Sequence, residues 1–262
     1  MAQVLVRALE ERHLLLQFDQ ADLGALLAER GWDTAVRPGQ EGDYLLVTDT
    51  NIGFNKTSAV VDVGLTYDVD LTDLSAPEAT LTLTHSNRAS SDVPCIHWGG
   101  GNLTPEEKWY PINRCYWTYT RVYKQAGVAL LDATPHAIPG DRMLLGKGVP
   151  ARVDELEEDL AGVEGFGTLL VVAGGEALST SFQFALPETV LLSEDETGLF
   201  SYRLHVQKQP GTLAHPLLIR LHLPNQAVLE SLPAGAVVQE GNLLVERTLQ
   251  TDVELEILFS LP

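Results

Sequence analysis

Basic residues are scarce: 17 Lys and Arg stand against 36 Asp and Glu, a net charge of −19 over 262 residues. That charge repels nucleic-acid phosphates and anionic lipid surfaces and favours a soluble monomer, so neither nucleic acid nor a lipid surface is an expected partner. Long apolar runs are missing too. No stretch approaches the ~20 residues of a membrane helix, and the first residues carry no signal-peptide pattern. Cysteine is almost absent, with only Cys95 and Cys115. Cysteine-based structural zinc sites usually take four ligands, so this pair is expected to form a disulfide rather than a metal site, the alternative being two separate buried thiols. A bridge closing that loop contributes about 3 kcal/mol on the chain-entropy model and implies an oxidising compartment. Catalytic signatures are lacking as well. There is no G-x-S-x-G elbow, P-loop or H-E-x-x-H, and Gly99-Gly100-Gly101 leads into no helix carrying Lys with Ser or Thr. No enzymatic activity and no cofactor are expected in this chain.

What the sequence has in quantity is alternation. From Ala59 to Leu71 the odd positions are all apolar or aromatic, whereas the even positions include Asp62, Gly64, Thr66, Asp68 and Asp70, with Val60 the exception. That period of two predicts a strand with one face buried, and at ~3.3 Å per residue its length predicts a bulge or bend at Gly64. Tyr44–Val47 reads as a strand feeding the polar connection Thr48–Thr57. Ala79–His85, Tyr116–Tyr123, Val128–Ala133, Thr168–Ala173, Leu178–Leu186, Phe200–Gln207, Leu217–Leu223, Leu243–Leu249 and Val253–Phe259 repeat the pattern. The Asp73–Pro77 turn makes a hairpin of the strands around it, and Gly174-Gly175 makes another. The acidic run Asp154–Asp159 reads as a helical turn. About ten strands with short turns predict an antiparallel β-sandwich of Ig-like architecture over residues 43–262, the alternative being two sandwiches split near 150–165. Residues 1–42 differ. Gln3–Arg12 and Asp19–Arg30 have helical spacing, with Asp19 as N-cap and Gly31 at the C-terminal end, and Leu14–Phe18 between them reads as a short buried strand. This helix–strand–helix piece is expected to be the tail of a preceding α/β domain.

Three groups of residues are candidate sites. Trp98, Trp109 and Trp117 lie close together with Tyr110, Tyr116, Tyr119 and Tyr123. Exposed, they would form a stacking platform for sugars or a protein partner; buried, they would form a small core under the Cys95–Cys115 loop. Trp117, in a strand pattern, is expected to be buried, and Trp98 or Trp109, in the loop, to be at least partly exposed. Arg203 and His205, with Arg220 and His222, form an expected cationic strip on strands taken to pair, where outward Glu254 and Glu256 compete for it. The carboxylates Asp68, Asp70 and Asp73, and the oxygen-rich run Asp49–Asn55, read as solvated or turn-forming residues rather than a glycosidase pair or a calcium site, since the EF-hand pattern is broken at Gly53 and Val60.

The phrases DYLLVTDTNIGFNK (Asp43–Lys56), YTRV (Tyr119–Val122), Phe166–Pro187 and YRLHVQKQPGT (Tyr202–Thr212) occur in an order that resembles the C-terminal region of a bacterial family, domain of unknown function 4012. The Asn51-Ile52-Gly53 and Asn55-Lys56 pairs and QKQPGT are its most specific pieces. The resemblance covers nearly the whole chain and implies an extracytoplasmic, cell-surface location, with a membrane anchor outside this sequence. The family's name records an unknown function, and the expected role, taken with the lack of catalytic motifs, is a non-catalytic module that binds or positions wall glycan or another envelope protein. The alternatives are an accessory domain of a cell-wall glycopolymer transferase whose catalytic domain lies upstream, and a purely structural spacer.

Overall fold

The computed structural model describes residues 2–33, 35–39, 41–92, 95, 97, 112, 114–194, 198–239 and 242–262. Two short helices, α1 (Ala2–Glu10) and α2 (Ala21–Glu29), precede the strands. The first eight strands are β1 (Asp43–Asn51), β2 (Val61–Asp70), β3 (Glu78–Asn87), β4 (Tyr116–Gln125), β5 (Ala129–Ala133), β6 (Asp154–Leu156), β7 (Val163–Val172) and β8 (Ala177–Ala185). The remaining seven are β9 (Leu191–Glu194), β10 (Leu199–Gln207), β11 (His215–His222), β12 (Val228–Ser231), β13 (Ala236–Gln239), β14 (Asn242–Leu249) and β15 (Val253–Ser260).

The strands form two facing sheets. One runs β12-β15-β10-β1-β4-β7-β6, with β9 beside β10, and the other runs β13-β14-β11-β2-β3-β8-β5. The alternating residues meet between them, Leu65, Tyr67 and Val69 of β2 and Leu81 and Leu83 of β3 against Tyr202 and Leu204 of β10 and Ile257 of β15. The chain is therefore mainly β, but the expected wholly antiparallel sandwich needs correction. β1 pairs parallel with β10, and β2 pairs parallel with β11. Every other pairing is antiparallel. The two parallel pairs occupy corresponding central places, one in each sheet, and join an early group of strands, β1 to β8, to a late group, β9 to β15. Strands from both sides of residues 150–165 thus share each sheet and one core.

Local expectations fare unevenly. The β2–β3 hairpin forms in continuous register from Val61 with Asn87 to Asp70 with Glu78, so Gly64 makes no bulge. The strand is shorter than its alternation suggested because Thr57–Val60 is a 3₁₀ turn, which also accounts for the exceptional Val60. Asp154–Leu156 is an edge strand, not a helical turn: Glu155 lies opposite Phe166 on β7, and pairing with a strand edge overrides the local helix preference of an acidic run. Leu14–Phe18 is not a strand, and Leu14 and Phe18 are exposed. No strand edge pairs with it. Gln20, not Asp19, occupies the N-cap position of α2 and makes no side-chain capping bond, and Arg30, not Gly31, holds the C-cap position, with Gly31 following it at φ 65°.

Candidate functional site

One end of the sandwich gathers the loops that follow β1 and β10 and precede β2, β4 and β11, and these hold the most distinctive phrases of the sequence. Asn51 folds the first loop. Its Oδ1 accepts from the Gly53 N–H at 2.9 Å, and its Nδ2 donates to the Asn55 carbonyl and side-chain oxygens. Asn55 in turn donates to the Cys115 carbonyl at 3.1 Å. Gly53 is required here, because a Cβ would lie 3.0 Å from the Trp117 ring and 2.9 Å from Asn55 Nδ2. The oxygen-rich run is a turn.

Cys95 and Cys115 are joined by a disulfide, with Cα atoms 5.3 Å apart. Beneath it Trp117, Ile138 and Val171 form a small separate core, and Trp117 Nε1 donates to the Arg142 carbonyl at 2.9 Å. His97 packs edge-on to Trp117. Trp117 is buried, as its strand position predicts; Trp98 and Trp109 lie outside the described residues.

The expected cationic strip does not exist as one surface. β10 and β11 lie in different sheets, so Arg203 and His205 are separated from Arg220 and His222 by the thickness of the sandwich. Lys208–Ala214 carries the chain from one sheet to the other rather than folding a hairpin, a difference that outward alternation cannot reveal. Arg203 bonds Glu256 at 2.7 Å, His205 lies 3.5 Å from Asp252, Arg220 bonds Asp68 at 3.0 Å, and His222 bonds Asn242 at 2.8 Å. Asp70 and Asp73 accept from Thr72 and Ser75 in their own turns.

What the fold assembles instead is a cleft of about 440 Å³ at the same end. It is lined by Asp49 and Asn51, by Ser58, Ala59, Val61 and Val63, by Tyr116, and by Gln209–Leu213 with His215. Asp49 is an inward-facing residue of β1 whose side chain is only 11% exposed. Its Oδ2 lies 2.8 Å from Nε2 of the fully buried His85, and its Oδ1 accepts from Thr120 at 2.5 Å. Burial by itself would push the Asp49 carboxyl up; the charge and hydrogen bond of His85, with help from Thr120 and His215, outweigh it and hold the group below the ordinary carboxylate range. His85 Nδ1 is buried with no partner among the described residues. At His215 burial is again the main influence, and it lowers the imidazole below its ordinary 6.5.

The loop Lys208–Leu213 forms the cleft wall and is tied down on both sides. Gln209 exchanges two hydrogen bonds with the backbone of Asp49, at 2.8 and 3.0 Å. Behind it the fully buried Lys208 ammonium donates to the carbonyls of Glu11, Gln209 and Thr212, and the Gly211 N–H donates to the Arg12 carbonyl. Arg12 makes two bonds to Asp252, at 2.9 and 2.6 Å. The segment after α1 is thereby fastened to the cleft wall.

Of the residues at this site, Asp49 reads from the sequence as part of a turn-forming run and Tyr116 as one of an aromatic group, whereas His85 and His215 are given no role. The available signal was polarity in an inward register: Asp49 follows Leu45 and Val47 at a spacing of two, and His85 follows Leu81 and Leu83. Among the described residues no group of three metal-ligating side chains comes together, and no helix is long and apolar enough to cross a membrane.

No family model matches the chain and no curated protein matches it. Similar solved structures are distant. One is a Legionella pneumophila protein provisionally described as nutrient binding, at 8% identity and TM-score 0.47 over 84% of this chain and 71% of that one. Others are the M1 zinc metallopeptidase of Deinococcus radiodurans, at 14% and 0.32 over 79% of this chain and 43% of that one, and a yeast LTA4 hydrolase, at 10% and 0.37 over 78% of this chain and 30% of that one. The chain is similar to these in overall shape only, and it spans less than half the length of the two hydrolases.

Proposed function

We propose that this chain is a non-catalytic, extracytoplasmic module of a bacterial cell-envelope protein, of the domain of unknown function 4012 kind, that binds or positions wall glycan or a protein partner. The observation that carries the reading is the construction of one end of the molecule. A disulfide, an asparagine-folded turn and the QKQPGT loop converge there on an open cleft with polar side chains at its base. A purely structural spacer has no need of such a cleft. Each group of strands, β1–β8 and β9–β15, is antiparallel within itself, which supports an Ig-like reading of the sandwich. The disulfide supports an oxidising location.

Two measurements test the reading. Free-thiol titration of the unfolded, unreduced protein is expected to find no thiol; two thiols would remove the argument for the compartment. The purified chain is expected to co-sediment with isolated wall glycan, and its complete retention in the supernatant would refute glycan binding.

A further inference from the structure

The cleft contains polar groups with hydrogen-bonding capacity that no other described residue uses. Ser58 Oγ and the His215 imidazole line it and hydrogen-bond to no other described residue. Asp49 lines it too, and a carboxylate can accept about four hydrogen bonds, more than His85, Thr118 and Thr120 supply. Beside these groups stand the apolar surfaces of Pro210, Val61 and the well-exposed Leu213.

Charge decides what kind of molecule fits. A bound anion would face Asp49 in a chain of net charge −19. A bound cation would find Asp49 already bonded to His85, Thr118 and Thr120. A neutral hydroxyl suits Asp49, which has one acceptor position to spare, as well as Ser58 and His215. It donates to Asp49, and it can donate to or accept from both Ser58 and an uncharged imidazole. The C–H face of a sugar ring suits Pro210 and Leu213. The volume lies within the ~300–1,000 Å³ usual for small-molecule sites.

We propose that this cleft is a binding site for one or two units of a neutral, hydroxylated sugar, held by Asp49, Ser58 and His215. The inference rests on the glycan-binding reading above and gives it a place and a ligand class. The test uses the full chain, titrated with the disaccharide of N-acetylglucosamine and, for comparison, with glucosamine and glucuronate. Saturable binding of the disaccharide is expected, with amide shifts confined to Ser58–Ala59 and Gln209–His215. His215→Ala and the surface change Ser58→Ala are each expected to weaken it about tenfold with unfolding unaltered, while Arg203→Ala, on the exposed outer face of β10 and outside the cleft lining, leaves it unchanged. Preference for glucosamine or glucuronate would overturn the proposed ligand class. Wall-glycan binding that survives both cleft variants would overturn this site and leave the module reading standing. Failure of the disaccharide and of wall glycan alike would overturn both this site and the glycan-binding reading on which it rests.

Discussion

Strand β1 places two carboxylates between the sheets, and their surroundings are opposite. Asp43, at the start of the strand, is sealed. Its Oδ1 accepts from the Lys124 ammonium at 2.5 Å, and its Oδ2 accepts from the Tyr67 and Tyr202 hydroxyls at 2.6 and 2.8 Å. Lys124 also donates to the Tyr67 oxygen and lies 4.7 Å from that ring's centroid. All four side chains are fully buried, and burial is the main influence on three of them, raising both tyrosines and lowering the lysine. These residues come from β1, β2, β4 and β10, so the network sits on the seam where the parallel pairs join the two halves. Six residues later Asp49 holds His85 in the same inward register, but the partner's second nitrogen is unmatched and the site opens to a cleft. A closed network specifies how strands pair; an open one leaves hydrogen-bonding capacity for something else. The difference teaches where to look for function.

Breaking the sealed site has the largest expected effect. Lys124→Met leaves the Asp43 charge buried without its cation and is expected to cost about 3–5 kcal/mol in denaturant unfolding. Lys124→Met combined with Asp43→Asn is expected to recover much of the loss. Equal losses in the single and double variants would show that packing, not the uncompensated charge, is responsible.

Asp252 lies between the two extremes, paired but partly exposed. Burial opposes its charge, yet bonds from His205, Arg12 and the Lys208 N–H hold it at about 2, down from 3.8. A depressed carboxylate stabilises the fold above its unfolded value and ceases to do so as pH falls through the folded one. The difference in unfolding free energy between the wild type and Asp252→Asn is therefore expected to shrink by about 2 kcal/mol from pH 4 to pH 2. A constant difference would mean that Asp252 does not fasten the cleft wall by its charge.

The smallest effect is expected at the open site, and it sharpens the comparison. Ser58→Ala and His215→Ala remove side chains that hydrogen-bond to no other described residue, so each is expected to change stability by no more than about 0.5 kcal/mol. A large loss at either position would class the cleft with Asp43 as structure.

The candidate site was harder to read than the strands. Most strands announce themselves by alternation, because a strand buried on one face has to repeat every two residues. β6, β9, β12 and β13, of three or four residues each, are too short to show it. The tryptophans drew attention by their bulk, and the one that is described, Trp117, is core. Asp49 and His85 are 36 residues apart in sequence, and each by itself looks like an ordinary polar residue near a strand end.

By itself the sequence determined the β class, the inward faces of β2, β3, β10 and β15, the N-terminal helices, and the availability of one cysteine pair, since these follow from local spacing and composition. The tertiary structure alone decided that β1 lies beside β10 and β2 beside β11, that β10 and β11 belong to opposite sheets, and that Asp43 meets Lys124 while Asp49 meets His85. Alternation states which face of a strand is buried and nothing about its neighbour. Neighbours were selected by the joint burial of one core and by the need of each buried charge for a partner.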